Sequence, residues 1–269
     1  MRNIHFISGL PRAGSTLLAA LLRQNPRVQA GMTSPVGSLF TALLGQMSAV
    51  NEFAVFLTEE QKEAILKGVF DNYYADHQEK VVFDTNRLWC SKMPALAALF
   101  PEAKVIACVR NCSWIIDSIE ILVRRNAFNP SKIFNFDATG TVYSRAEGLS
   151  AGNGMVGFAW NALKEAYYGT HANRLMLLRY ETLTSNPAAA LKAVYDFIGE
   201  RSFDHDFNNL EFDAEEFDAR LGTPGLHRVG RKVTVTKRDT ILPPDLVRRY
   251  ENDNFWEDAA LNPRRVRVV

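Results

Sequence analysis

IHFISGLPRAGSTLLAALLRQNP, residues 4–26, is the stretch on which the fold turns. Ile4 to Ser8 is a short apolar run of the kind that forms a buried strand. Gly9 to Gly14 holds the turn residues Gly9, Pro11 and Gly14. Ser15 to Gln24 reads as a helix with Leu17, Leu18, Leu21 and Leu22 on its apolar side, and Asn25-Pro26 ends it. A strand running through a glycine turn into a helix makes an anion cradle. Backbone amides of the turn converge on one anion, and the helix N-terminus adds partial positive charge. Arg12 can fork onto phosphate oxygens, while Ser15 and Thr16 supply hydroxyl donors.

The loop nearly matches the nucleotide-binding pattern G-x-x-x-x-G-K-[ST], with Gly9, Gly14 and Thr16 in place. Ser15 stands where that pattern has lysine. Without the lysine little neutralises a transferred γ-phosphate, and the cation has moved to Arg12.

Further along, Val81 to Phe83, Lys104 to Val109 and Leu175 to Leu178 read as buried strands. Helices are expected within Ser38 to Met47, at Thr58 to Tyr74, Pro94 to Phe100, Ser113 to Arg125, Gly157 to Tyr168 and Pro187 to Ile198, and near Pro243 to Asn252. Thr58 and Gln61 form a capping-box pattern. Asn126 to Gly154 reads as a long loop excursion. Short apolar strands alternating with helices imply an α/β fold with a central parallel sheet flanked by helices in three layers. No linker or repeat divides the chain, so residues 1–269 are expected to form one domain. In such folds ligands bind at the carboxyl ends of the strands. Gly9 to Thr16, Asp84 to Arg87 and Arg110 to Ser118 all fall there.

With 31 basic and 30 acidic residues, the net charge of +1 gives no general pull toward nucleic acid or a membrane, so an anion site must be built locally. The charge is uneven: Asp204 to Asp218 is acidic and Arg228 to Arg238 basic. Cys90, Cys108 and Cys112 lack the pattern of a disulfide or metal set and read as buried free thiols. No apolar run suits a signal peptide or a membrane span, so a cytoplasmic protein is expected.

In KVIACVRNCSWIIDSIE, Arg110 ends a buried strand, and Ser118 lies in the second turn of the following helix, within reach of the same site. A kinase would usually end this strand in a metal-binding aspartate. An arginine suits a doubly anionic ligand handled by cations and no metal.

SGLPRAGSTLL, together with VIACVRN and Ser118, resembles the two cofactor motifs of the sulfotransferase family. LFPEAKVIACVR, AWNALKEAYY and LLRYETLTSNPAAALKAVYDFIG are similar to the tyrosylprotein sulfotransferase branch and its bacterial relatives. The resemblance implies a P-loop-like fold and the donor 3′-phosphoadenosine 5′-phosphosulfate (PAPS), with no metal. It places Arg12, Ala13, Gly14, Ser15 and Thr16 at the 5′-phosphosulfate, Arg110 and Ser118 at the 3′-phosphate and Tyr180 near the adenosine. A C-terminal basic loop closes over the cofactor in the family, which makes Arg228, Arg231 and Lys232 candidates here.

The glutamate base of that branch is missing: VQAGMTSPV carries Met32 and Thr33 in its place. Sulfuryl transfer needs cations at the leaving oxygen and a base at the acceptor hydroxyl. Asp84 is the candidate base and Arg87 the candidate stabiliser of the transferring group. A structural Asp84 that caps the next turn and pairs with Arg87 is the bland alternative, with His227 as the fallback base. Phe128, Phe134, Phe136 and Tyr143 either line an apolar acceptor pocket or anchor the excursion. The acceptor is expected to be a small molecule or peptide that offers a hydroxyl or an amine, and a homodimer stays open. A P-loop kinase of a small metabolite and a non-catalytic phosphoadenosine-binding module are the competing readings.

Overall fold

The computed structural model describes residues 3–212, 214–235 and 237–269. Among them six strands form one sheet: β1 (Asn3–Gly9), β2 (Val28–Ala30), β3 (Val81–Thr85), β4 (Val105–Val109), β5 (Leu175–Arg179) and β6 (Arg267–Val268). The order is β2-β3-β1-β4-β5-β6, and every neighbouring pair is parallel. β1, which carries the glycine turn, is therefore central, with β3 on one side and β4 on the other.

Helices cover this sheet: α1 (Ser15–Leu22), α2 (Val36–Gln46), α3 (Glu59–Tyr73), α4 (Met93–Leu99), α5 (Cys112–Arg125), α6 (Val142–Ser150), α7 (Met155–Tyr168), α8 (Tyr180–Ser185), α9 (Pro187–Ile198), α10 (Glu215–Arg220) and α11 (Pro244–Tyr250). The helical segments read from the sequence recur within a few residues. Thr58 caps α3 through the expected reciprocal bonds with Gln61. The supposed loop excursion is not all loop, because Thr141 caps α6 inside it. β2, β6, α8 and α10 lack the apolar run or periodicity that marks the other elements.

Side chains of a strand alternate between faces, and this decides what β1 and β3 present. Phe6 pairs in register with Asp84, and Ile7 with Thr85. On the first face Phe6 meets an aromatic cluster beneath α2 and α3, in which Phe40, Phe70 and Trp89 are 0% exposed. Fully burying rings of this size stabilises the fold by roughly 1.5–3 kcal/mol each. The three cysteines are buried free thiols. Among the described residues, no helix is long and apolar enough to cross a membrane.

Candidate functional site

The carboxyl ends of β1, β3 and β4 open into a cavity of about 650 Å³, within the range of small-molecule sites. The turn after β1 forms one wall. Gly9 (φ 101°) lets the chain leave β1 against β4, since a Cβ there would lie 2.2 Å from the Cys108 carbonyl oxygen. Gly14 (φ 96°) passes under the Tyr180 and Leu183 side chains, which a Cβ would crowd at 3.1 and 3.2 Å. No side chain caps α1, so its first amides are left for a ligand.

Arg12 crosses this wall. Its Nε donates to Ser118 Oγ at 3.2 Å, and its Nη1 donates to the Leu226 carbonyl. Burial, and then the nearby Arg110, pull its pKa down to about 10, so it stays charged at neutral pH. The Arg110 guanidinium lies 4.1 Å from the centre of the Tyr180 ring, a cation–π distance. Its Nε is buried and has no hydrogen-bond partner. An orphaned guanidinium donor beside an uncapped helix fits a phosphate ligand.

Arg12, Gly14, Ser15, Thr16, Arg110 and Tyr180 are thus brought to one cavity, together with Arg228 and Lys232 from the C-terminal basic segment. Ala13 is fully buried beneath the turn, and Ser118 sits behind Arg12 rather than on the wall. Arg231 is exposed and points elsewhere, and its carbonyl accepts from Leu210 N at 2.8 Å. That bond and Val233 N to the Phe207 carbonyl (2.9 Å) pin the covering segment from outside. Farther along, Asp117, next to Ser118 on α5, accepts from Thr240 Oγ1 and Ile241 N at 2.7 Å each and pairs with Arg238.

Asp84 does not reach the cavity as the expected base, and among the described residues it does not pair with Arg87. Asp84 is 0% exposed and absent from the wall. Its carboxylate accepts from Ser34 Oγ (2.5 Å), Tyr74 OH (2.8 Å) and Trp89 Nε1 (2.8 Å). Burial pushes its pKa up against these three donors. β3 runs two residues beyond the expected Phe83, so Asp84 is an interior strand residue on the aromatic face. Thr85, one residue on, faces the cavity instead, 6% exposed, with a buried Oγ1 that has no hydrogen-bond partner. Arg87 does reach the wall, and among the described residues its side chain has no ion-pair partner.

The fallback residue His227 also lines the cavity. Asp218 holds it twice, Oδ1 to Nδ1 at 2.6 Å and Oδ2 to the backbone amide at 2.8 Å. With the carboxylate accepting at Nδ1, Nε2 keeps its lone pair. Burial lowers the His227 pKa most, Arg12 and Arg87 lower it further, and Asp218 opposes them. The imidazole is therefore neutral near neutral pH. Nothing in the sequence around Asp218, one acid in an acidic run, marks it as the partner of His227.

Of the excursion's aromatics, Phe128, Phe136 and Tyr143 are exposed, Phe134 packs on the core, and none lines the cavity. Lys132 and Ile133 do, with Met155, Phe217, Leu221 and Leu226.

A sequence profile of the sulfotransferase family matches residues 5–205. Among solved structures, a sulfotransferase domain from the curacin biosynthetic pathway is similar at a TM-score of 0.53 and 15% identity, over 98% of this chain and 90% of its own. The sulfotransferase domain of the Synechococcus PCC 7002 olefin synthase is similar at a TM-score of 0.51 and 18% identity, over 92% and 94%. At such identities these likenesses speak to the fold.

Proposed function

The chain belongs to the sulfotransferase family, and on that premise we propose that it transfers a sulfuryl group from PAPS to the hydroxyl of an acceptor. The observation that carries this reading is the bond from Arg12 Nε to Ser118 Oγ, which joins two anion-binding segments 106 residues apart into one site. The strand order supports one direction for the donor. Arg110 and Tyr180, by β4 and β5, take the 3′-phosphate and the adenosine, and Ser118 holds Arg12 from behind. The turn after β1 takes the 5′-phosphate. The sulfuryl group then points toward β3, where Thr85 and Arg87 lie, and the acceptor enters between β3, Met32 and Thr33 after β2, and the covering segment.

When bound, PAPS supplies an activated sulfur whose bond to the phosphate oxygen breaks as the acceptor oxygen attacks. The residues do the rest. Arg12, Arg87 and the α1 amides stabilise charge that builds on the sulfuryl and leaving oxygens. His227 Nε2 takes the proton of the acceptor hydroxyl, and Asp218 holds the ring and stabilises the imidazolium that forms. His227 stands near both Arg12 and Arg87, whose charges each depress its pKa. Asp84 takes no part in the proton transfer; its three hydrogen bonds hold the β2–α2 turn and Trp89 in place.

Two measurements test the reading. The desulfated nucleotide 3′-phosphoadenosine 5′-phosphate (PAP) should raise the melting temperature, through preferential binding to the folded state, and ATP should raise it less. PAPS with a broad acceptor panel should yield products bearing the sulfuryl mass. Equal or greater stabilisation by ATP with magnesium would overturn the assignment.

A further inference from the structure

We propose that the acceptor is a small, apolar-bodied hydroxy compound that carries its own anionic group, read by Lys132. The inference rests on the donor reading above and concerns the other half of the same cavity.

Six cations line the cavity, Arg12, Arg87, Arg110, Lys132, Arg228 and Lys232, and among the described residues no carboxylate does. The donor accounts for most of that charge. Its 3′-phosphate carries about −1.5 to −2 near neutral pH, and its phosphosulfate bears one further negative charge on phosphorus and one on sulfur. Arg12 and Arg110, with Arg228 and Lys232 above them, balance these. Arg87 faces the transferring group, which leaves Lys132 without an anion. Among the described residues its ammonium has no ion-pair partner.

Lys132 is not on a loose loop. Its backbone amide donates to the Leu221 carbonyl at 3.1 Å. The neighbouring Ser131 hydroxyl, buried, lies 2.5 Å from Thr223 Oγ1 and accepts from Ile133 N at 3.1 Å. These bonds fasten the Lys132 turn to the segment that carries His227. Lys132 itself is exposed, and the cavity it lines has an apolar part made by Ile133, Met155, Phe217, Leu221 and Leu226. A cationic acceptor would meet repulsion and find no carboxylate, and a protonated amine has no lone pair for attack.

Matched acceptor pairs test this: hydroxyphenylacetate with hydroxyphenylacetamide, and hydroxydecanoate with hydroxydecanamide. Each is titrated into the PAP-saturated protein, and its turnover is followed as PAP released from PAPS. In at least one pair the carboxylate should bind or react about tenfold or more better than the amide. Lys132→Gln should bring that ratio close to one, and Lys132→Arg should keep it. Equal use of both members, preference for the amide, binding of neither, or a ratio unmoved in Lys132→Gln overturns the inference. PAP affinity, measured alongside, reports the donor half separately. A wild-type protein that fails to bind PAP sinks the donor reading instead.

Discussion

Asp218 grips His227 at two points, the ring nitrogen Nδ1 at 2.6 Å and the backbone amide at 2.8 Å. The double hold sets both the direction of the imidazole and the path of the covering segment. Replacing His227 by Gln should therefore lower turnover by about 10²–10⁴-fold, the usual worth of general-base catalysis. PAP affinity should change little. Asp218→Asn should also lower kcat, because the ring loses its orienting carboxylate. Steady-state kinetics beside PAP titrations separates these effects, and full activity in His227→Gln would remove His227 as the base.

The same pair predicts the pH profile. His227 must be neutral to accept a proton, and burial, Arg12 and Arg87 all lower its pKa from the ordinary 6.5. Activity is thus present above the lowered pKa and lost as pH falls through it. The acid limb of kcat/KM should have its midpoint below 6.5, and His227→Gln should lack that limb. A midpoint above 6.5 would contradict the assignment.

Asp84→Asn should act on stability rather than chemistry. An amide in that place turns an NH2 group toward at least one of the three donors from Ser34, Tyr74 and Trp89. A buried donor left unpaired costs about 1–3 kcal/mol. Denaturant melts should show that loss, while turnover per folded molecule stays near wild type. A large fall in kcat without loss of stability would return Asp84 to the chemistry.

Arg110→Ala should discriminate between nucleotides. Loss of a charge-assisted contact costs about 1.5–3 kcal/mol, a roughly 10- to 150-fold weaker Kd. The loss should fall on nucleotides that carry a 3′-phosphate. Calorimetric titration of PAP against adenosine 5′-phosphate checks it, and an equal loss for both would move the 3′-phosphate elsewhere.

Thr85 supplies a test on the β3 side. Its Oγ1 is buried without a partner at the cavity wall, so Thr85→Val removes an unsatisfied hydroxyl and should leave the unliganded protein at least as stable. PAPS affinity should nevertheless fall relative to PAP, since only PAPS carries a sulfuryl oxygen to receive that hydroxyl. Unchanged discrimination between the two nucleotides would mean that Thr85 is only a wall residue.

The sequence by itself determined the central unit. The apolar run, the glycine turn and the apolar face of the following helix are local patterns, written within some twenty residues, and they return as β1, the turn and α1. Arg110 at a strand end and Ser118 in the second turn of the helix that follows were legible for the same reason: both follow from short-range periodicity. The order of the sheet, and with it the meeting of Arg12 and Ser118, came from tertiary structure. So did the fate of Asp84. Its apolar run ends at Phe83, but pairing with β1 carries the strand on to Thr85. Strand alternation then turns Asp84 toward Tyr74 and Trp89 and leaves Thr85 at the cavity. How far a strand extends depends on the hydrogen bonds its neighbour offers, and no local pattern records them. The proposed base is likewise non-local: His227 is singled out by Asp218 holding it, and by the nearness of Arg12 and Arg87, which only the folded chain brings together.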